Sequence, residues 1–297
     1  MTKNRLDALG DRLKAYESIE TSQVFPPNCF LYVRIDGRSF SKFTKGLARP
    51  YNSNLSEIMK IVTKELVREY NAIIGFTQSD EINLVISNSY EKGCMFEAKK
   101  HKLISNIASF ATSVFVSKLA TMLPSKDPIK TGKYPSFDCR IIPIPNVDEI
   151  VNCIYWRERD AIKNSISMAA HENFSQKQLH GCSSDVMKDM LKTQKDIIWD
   201  DYPKFFKSGT YFKRYVFPLE TGNETPHYDN IYNKPIRSTI AELNISLSDL
   251  EDHDARKVAV LSTWFRDKFN KEQSVLDYGN SVIHLANPVT LIKTNPF

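Results

Sequence analysis

Three carboxylates in two short motifs carry the clearest chemical signal in this sequence. Asp36 follows the apolar run Phe30–Ile35, and Asp80 and Glu81 stand between two further apolar runs. If these runs form neighbouring strands, the three carboxylates meet at one end of a sheet. Hard divalent cations such as Mg²⁺ bind carboxylates together with triphosphate oxygens, and two such ions can activate an attacking oxygen and stabilise a leaving pyrophosphate. Either motif alone is typical of a surface turn, but the pair favours metal-dependent phosphate chemistry.

Two further segments could bind phosphate. Asp36-Gly-Arg-Ser-Phe40 places a glycine and successive backbone amides in a turn that follows a strand, which can form an anion nest. Lys99, Lys100 and Lys102 open a predicted helix and could contact a triphosphate, although a solvated basic turn has the same pattern. The chain has neither a G-x-x-x-x-G-K-[ST] loop nor a G-x-G-x-x-G motif, so the common nucleotide-binding folds are not indicated.

A stretch of alternating basic and aromatic residues is the candidate RNA contact. Cations bind phosphates and aromatic rings stack on exposed bases, so this composition is typical of RNA-binding surfaces. An aromatic-rich strand pair with charged outer positions would look the same. The candidate RNA-binding residues are Lys204, Lys207, Lys213 and Arg214, interleaved with Phe205, Phe206, Tyr211, Phe212 and Tyr215.

The elements that position these groups follow from hydrophobic periodicity. The order strand, helix, strand, strand, helix, strand, helix predicts an α+β sandwich in which helices cover one face of an antiparallel-containing sheet. The predicted helices are 55–70, about 95–121, 147–170 and 183–194, after one in the first 25 residues; the predicted strands are 30–35, 72–77, 82–86 and 137–144, with Gln78–Glu81 as a turn.

The residue composition of the chain changes after residue 217. Pro218–Pro226 is polar and turn-rich, which is typical of a linker. A helix over Asp254–Lys268 and a strand over Ser281–Leu285 are expected beyond it. We therefore expect a main domain over residues 1–217 and a C-terminal extension of unassigned role over 218–297.

Composition sets the class of protein. The 297 residues have a net charge of +5, 25% charged and 41% hydrophobic residues, values typical of a folded domain that can accept an acidic partner without requiring one. The five cysteines form no C-x-x-C pair, and no signal peptide or membrane-spanning run is apparent. These features predict a cytoplasmic protein with reduced thiols, no zinc site and no membrane partner.

Taken together, these motifs resemble tRNA(His) guanylyltransferase and its Thg1-like relatives. The matching segments are FLYVRIDGRSFSKF (Phe30–Phe43), GFTQSDE (Gly75–Glu81), the Lys99/Lys102 helix, Trp156-Arg157 with Asp160, and Pro203–Arg214. They occur in the order seen in that family and cover about residues 25–217. The final 80 or so residues match nothing in the resemblance.

The resemblance implies a palm-like catalytic domain, similar to polymerases and nucleotidyl cyclases, that adds nucleotides from GTP or ATP to tRNA 5′ ends in the 3′–5′ direction. By this resemblance Asp36 and Asp80 hold two Mg²⁺ ions with the Gly37 carbonyl, and Glu81 supports the metal site. Lys99 and Lys102 contact a second triphosphate, and the protein is a homotetramer. The first triphosphate lies against Ser79 and the backbone of Gly37, Arg38, Ser39, Phe40 and Ser41.

Two departures from the family pattern concern the choice of substrate. Where eukaryotic enzymes carry His-Ile-Asn-Asn-Leu-Tyr-Asn, this chain reads Ile162-Lys-Asn-Ser-Ile-Ser-Met168, and Ser41 replaces a common histidine. These departures favour the Thg1-like branch, which repairs 5′-truncated tRNAs by templated addition, over strict G₋₁ addition to tRNA(His). The alternatives are a palm-type cyclase, a nucleotidyltransferase acting on another substrate, and a non-catalytic RNA-binding module.

Overall fold

The computed structural model describes residues 5–88, 94–218, 227–229, 234–261, 263–266, 272–278 and 281–285. The helices are α1 (Arg5–Thr21), α2 (Phe40–Phe43), α3 (Ser53–Glu69), α4 (Lys100–Met122), α5 (Pro128–Thr131), α6 (Val147–Asn173), α7 (Gln176–Leu179), α8 (Ser184–Lys195), α9 (Lys204–Lys207) and α10 (His253–Leu261). The strands are β1 (Cys29–Gly37), β2 (Ile74–Gln78), β3 (Glu81–Asn88), β4 (Phe137–Ile144), β5 (Thr210–Pro218), β6 (His227–Asp229), β7 (Lys234–Leu243), β8 (Thr263–Arg266), β9 (Glu272–Tyr278) and β10 (Ser281–Leu285).

The strands form one mixed sheet in the order β10-β9-β8-β5-β2-β3-β1-β4, and β7 pairs with β5 and β6. β1 lies between β3 and β4 and is antiparallel to both. Because residues directly opposite each other point to the same face, the register fixes which side chains meet. Asp36 is opposite Glu81 on one side and Asp138 on the other.

Helices cover both faces of this sheet, which corrects the expectation of a single covered face. Leu31, Val33 and Ile35 of β1 point into a core with α3 and α4. Tyr32, on the opposite face of the same strand, lies in a second core with Ile150 and Ile154 of α6. A strand buried on both faces does not need alternating polar residues, which accounts for the apolar run Phe30–Val33.

Several element boundaries also differ from the sequence prediction. The β2–β3 turn contains only Ser79 and Asp80, since Gln78 and Glu81 already pair with each other. A 3₁₀ turn over Met95–Ala98 precedes α4. The last predicted helix ends at Leu261, and Thr263–Arg266 is a strand, consistent with its β-branched and aromatic residues.

Described residues beyond position 218 continue the sheet and the cores. β7 pairs with β5 along Tyr211–Pro218, and Leu243 and Val260 are buried with residues of α6. The predicted boundary at residue 217 falls inside β5. The predicted linker lies outside the described residues from position 219 to 226.

A buried carboxylate ties these C-terminal residues to α6. Glu158 is inaccessible to solvent and accepts hydrogen bonds from the Tyr211 hydroxyl (2.5 Å) and the Ser246 hydroxyl (2.5 Å). The backbone amides of Leu247 and Ser248 donate to the same carboxylate at 2.9 Å. A buried charge is tolerated when its lone pairs are satisfied in this way.

Among the described residues, one helix, α4, is long and apolar enough to span a membrane by length and composition. Its buried residues Leu103, Ile107, Ala111, Phe115 and Leu119 recur every fourth position and pack into the core with α3. This stripe is typical of a helix that covers one face of a sheet.

Gly209, directly before β5, provides a test of the backbone next to the β2–β3 hairpin. Its φ is +84°, and a Cβ there would lie 2.7 Å from the Thr77 carbonyl oxygen. We expect Gly209→Ala to lower the free energy of unfolding by about 3 kcal/mol, measured by urea denaturation. The control is Gly46→Ala, with φ +86° but no atom within 4 Å, which should cost only about 1 kcal/mol. Equal losses would show that the close approach is not what demands glycine.

Candidate active site

The two predicted metal-binding aspartates occupy adjacent strand ends. Asp36 is the penultimate residue of β1, and Asp80 is the second residue of the β2–β3 turn. Asp36 lies opposite Glu81, the residue after Asp80, so the pairing of β1 with β3 brings the turn to the end of β1. Ser79 takes a positive φ of 56° and its hydroxyl donates to Asp80 at 3.1 Å. The structure therefore confirms that the two motifs converge.

Asp36 and Asp80 repel each other electrostatically. Burial raises the pKa of Asp80, and the negative charge of Asp36 raises it further. Burial and then the neighbouring Glu81 raise the pKa of Asp36, while Arg34 opposes the shift. A pair of carboxylates whose ionised forms disfavour each other binds a cation readily, because the cation removes the repulsion.

Both carboxylates line a cavity of about 360 Å³. The sheet contributes Arg34, Asp36 and the β2–β3 turn, and α6 forms the opposite wall. The α6 residues that line it recur at helical spacing and are Arg157, Asp160, Ala161, Asn164, Ser167 and Met168.

Glu81 is held in an ion-pair network beside this cavity. Arg157 donates two hydrogen bonds to it at 2.6 and 2.7 Å, and Arg34 lies 2.9 Å away. Asn83 donates a further hydrogen bond at 2.8 Å. With these partners, Glu81 positions two guanidinium groups at the cavity wall and is not a free ligand. The supporting role predicted for Glu81 at the metal site stays a prediction.

The turn after Asp36 is shaped by a close contact. A Cβ on Gly37 would lie 2.3 Å from the ring of Phe40, so only glycine permits Phe40 to fold back beneath the end of β1. Ser39, with φ 55°, then turns the chain into α2. The Arg38 amide donates to the Ser136 carbonyl at 2.9 Å, which removes it from the predicted phosphate cradle. The amides of Ser39, Phe40 and Ser41 precede or begin α2, where helix amides lack intrahelical partners.

A second cavity of about 330 Å³ lies on the other side of the β2–β3 turn. Ser79, Asp80 and Met168 line both cavities, so the turn stands between them. Aromatic side chains form much of its wall, and the Tyr51 ring packs 5.1 Å from that of Phe206. Its apolar lining comprises Phe40, Leu47, Ala48, Pro50, Tyr51, Leu55, Met168, Phe205 and Phe206.

The donor set suits a hard divalent cation. Among the described residues, no group of three or more His, Cys, Asp or Glu side chains is arranged to hold a metal ion. The protein could thus offer two aspartate carboxylates and backbone oxygens. Mg²⁺ fits such a set, because it binds one or two carboxylates and completes its shell with water and phosphate oxygens.

Comparison with known proteins agrees with this geometry. Residues 10–145 match the family model described as "Thg1: tRNAHis guanylyltransferase". The tRNA(His) guanylyltransferase of Saccharomyces cerevisiae is 31% identical over 209 residues, which cover 66% of this chain and 86% of the yeast protein. This chain belongs to the tRNA(His) guanylyltransferase family.

Solved structures of the tRNA(His) guanylyltransferase family share the fold. A bacterial Thg1-like protein in complex with ATP is 36% identical, with a TM-score of 0.64 over 69% of this chain and 88% of that one. An uncharacterized protein of Acanthamoeba polyphaga mimivirus is 26% identical over 296 residues, covering 93% of this chain and 97% of the viral protein. The match to the bacterial structure shows that the fold is the α+β, palm-like nucleotidyltransferase fold of this family. The similarity to the viral protein extends beyond residue 217.

The two lysines predicted to bind a second triphosphate lie away from both cavities. Lys99 precedes α4 and lies opposite Val24, and the Lys100 amide donates to the Gln23 carbonyl at 2.9 Å. The middle of α4 contacts the start of β4, which pairs with the end of β1, since the Thr112 hydroxyl accepts from the Phe137 amide. Lys102 is ten residues before Thr112, or about 15 Å along the helix. Neither Lys99 nor Lys102 lines the two cavities described above.

Lys213 is not an RNA-binding residue, which corrects the sequence prediction. Its side chain is 2% exposed, and its ammonium group donates to the carbonyls of Ala259 (3.0 Å) and Val260 (2.7 Å) in the last turn of α10. Its aromatic neighbours Tyr211 and Phe212 are likewise buried. This part of β5 is therefore an aromatic-rich strand, which was the alternative interpretation of the sequence.

The other three candidate RNA contacts are partly exposed and have internal partners. Lys204 donates to Asn244 at 3.0 Å, and Arg214 donates to Ser238 at 3.0 Å. Lys207 donates to the Asp200 carbonyl and lies over the Trp199 ring. RNA binding by these residues stays a prediction.

Sequence reasoning missed several residues of the site. Arg34 stands two positions before Asp36 and therefore on the same face of β1, which strand periodicity could have indicated. Asn164 and Ser167 lie within the α6 stretch that departs from the eukaryotic motif, yet they line the cavity with the aspartates. The apolar cavity is built from segments remote in sequence, such as Tyr51 and Phe206, so no local pattern reveals it.

Proposed function

We propose that this protein adds nucleotides to tRNA 5′ ends in the 3′–5′ direction with Mg²⁺ as cofactor. The observation that supports it most is the placement of Asp36 and Asp80 around one cavity, at the end of β1 and at the turn between two cavities. A nucleoside triphosphate bound at this turn would place its base in one cavity and its reacting phosphates in the other. The ATP- and GTP-bound bacterial relatives are consistent with nucleoside triphosphates as substrates.

In this proposal the apolar cavity holds the nucleobase. Tyr51, Phe205 and Phe206 offer aromatic and apolar surface for stacking, and Ser79 and Ser41 line the same space with hydroxyl groups. The amides of Ser39, Phe40 and Ser41 and the Ser79 hydroxyl bind phosphate oxygens. Arg157 and Arg34 remain fixed by Glu81 and lower the negative potential of the other cavity.

Asp36, Asp80 and the Gly37 carbonyl would hold the Mg²⁺ ions. When bound, the ions supply positive charge to the attacking and leaving oxygens. The 3′-hydroxyl oxygen of the incoming nucleotide loses its proton to solvent and forms a bond to the 5′ phosphorus of the RNA. Pyrophosphate leaves if that end is a triphosphate, and AMP leaves if it is an adenylylated monophosphate.

We assign the protein to the repair branch of the family because of α6. Ile162 stands where the eukaryotic motif has its histidine. It packs against the hydrophobic cluster that contains Trp199 and Phe206. Ser165 is buried and donates to the Lys207 carbonyl at 3.0 Å. Ile162 and Ser165 therefore contribute to packing, and we attribute the choice of nucleotide to pairing with the template. A homotetramer and a cytoplasmic location belong to the same proposal.

Two tRNAs distinguish the branches: a full-length tRNA(His) that lacks G₋₁ and a tRNA that lacks its first 5′ nucleotide. With Mg²⁺ and labelled GTP or ATP, we expect templated filling of the truncated tRNA in preference to G₋₁ addition. Preference for tRNA(His) would overturn the branch assignment. Cyclic nucleotide formed from ATP or GTP alone would instead support a cyclase.

A further inference from the structure

One ridge on α6 is exposed to solvent. Trp156, Arg159 and Lys163 stand at positions i, i+3 and i+7 and therefore share one side of the helix. The Trp156 side chain is 58% exposed, although tryptophan is usually well buried, and Arg159 and Lys163 are exposed as well. Among the described residues, neither Arg159 nor Lys163 forms an ion pair or side-chain hydrogen bond with another residue. We call these three residues the α6 ridge.

The ridge borders the cavity that contains the catalytic aspartates. Asp160 and Ser167 line that cavity and lie four and eleven positions after Trp156, on the adjoining strip of the helix surface. Arg157 connects the ridge to the cavity, because its guanidinium lies 4.7 Å from the centre of the Trp156 ring and also binds Glu81. An aromatic surface and two cations therefore stand at the mouth of the site.

We infer that the α6 ridge binds the 5′ end of the RNA stem, with Trp156 stacked on the terminal base or base pair and Arg159 and Lys163 bound to phosphates of the same strand. This inference rests on the proposed function and names the surface that receives its RNA substrate. Aromatic rings stack on any base, and arginine and lysine neutralise phosphates irrespective of sequence. Such a surface suits an enzyme whose nucleotide choice comes from the template and whose substrates share only a stem end.

We expect Trp156 to contribute to RNA binding independently of its contact with Arg157. If the ring served only to support the guanidinium, its removal would lower kcat and leave RNA affinity unchanged. If it stacks on RNA, its removal raises the dissociation constant and the KM for tRNA. In that case the KM for the nucleoside triphosphate stays within about twofold. Equilibrium binding of truncated tRNA without nucleotide therefore separates the two roles.

We expect Trp156→Ala to weaken binding of the truncated tRNA about tenfold, with most of the affinity recovered in Trp156→Phe. The double variant Arg159→Ala/Lys163→Ala should reduce the slope of log affinity against log salt concentration by about 1.8, because each phosphate contact contributes about 0.9. Fluorescence anisotropy with 5′-truncated tRNA over a salt series measures both effects.

The matched control is Arg12→Ala/Lys14→Ala, which removes the same charge from exposed positions on α1, a helix that contacts α4. Its salt slope should equal that of the wild type. An unchanged slope in the α6 double variant, or unchanged affinity in Trp156→Ala, would overturn the inference even if the wild type adds nucleotides. Ridge-dependent RNA binding by a wild type that adds no nucleotide would overturn the proposed function and leave the ridge as an RNA-binding surface.

Discussion

Asp80→Asn is expected to reduce nucleotide addition about a thousandfold and, in buffer without divalent cations, to stabilise the fold. The loss of activity follows from removing one of two carboxylates that would neutralise developing charge around the phosphates. The gain in stability follows from the structure, because burial and Asp36 both disfavour the ionised form of Asp80. Single-turnover transfer assays and urea denaturation measure the two effects.

The stability difference has a defined pH dependence. The folded state raises the pKa of Asp80 above its value in the unfolded chain, so the wild type loses stability as pH rises through the folded pKa. The advantage of Asp80→Asn should therefore be smallest at acid pH, where the carboxyl is protonated in both states, and should grow as the pH rises. Addition of Mg²⁺ should stabilise the wild type and not the variant, because a ligand stabilises only a state that binds it.

A suitable control is Asp189→Asn, which removes an exposed carboxylate on α8. It should leave activity and the response to Mg²⁺ unchanged. Retained turnover in Asp80→Asn would contradict the assignment of the metal site. A loss of stability at neutral pH would contradict the electrostatic account of the two aspartates.

Arg157→Met is expected to have the second largest effect, on both stability and rate. The Arg157 side chain is 7% exposed and holds Glu81 through two short hydrogen bonds, so its removal leaves a poorly compensated carboxylate in the cavity wall. We expect the free energy of unfolding to fall by about 3 kcal/mol and the transfer rate to fall about a hundredfold. Denaturant unfolding and single-turnover kinetics test the two parts.

Arg159→Met provides the matched stability control, since it makes the same substitution at an exposed position two residues along α6. Its unfolding free energy should stay within about 0.5 kcal/mol of the wild type. Adding Glu81→Gln to Arg157→Met should recover part of the loss, because the unpaired charge is removed. If the double variant is no more stable than Arg157→Met, the ion pair is not the source of the effect.

Local pattern was sufficient to predict the strand that carries Asp36 and several of the elements packed around it. β4 has the predicted bounds, and α6 begins at the predicted residue. β1 extends the predicted run Phe30–Ile35 to Gly37. The convergence of Asp36 with Asp80 followed from two apolar runs joined to acidic turns.

What the sequence could not supply depends on contacts between distant segments. Lys213 alternates with aromatic residues as a surface cation would, but α10 covers it and its last carbonyls accept the ammonium protons. Buried lysines are rare, so burial was not the natural expectation. The apolar cavity likewise joins Tyr51 to Phe206, and the docking of Ser246 on Glu158 links residues on opposite sides of the predicted domain boundary.

The most direct test of the central claim is to map where the protein adds a labelled nucleotide. A tRNA lacking its first 5′ nucleotide is incubated with Mg²⁺ and α-labelled nucleoside triphosphate, with wild type and with Asp36→Asn/Asp80→Asn. We predict templated incorporation at the 5′ end by the wild type, none by the variant, and tRNA binding by both. Label at the 3′ end, or equal incorporation by the variant, would contradict 3′–5′ addition at this pair of aspartates.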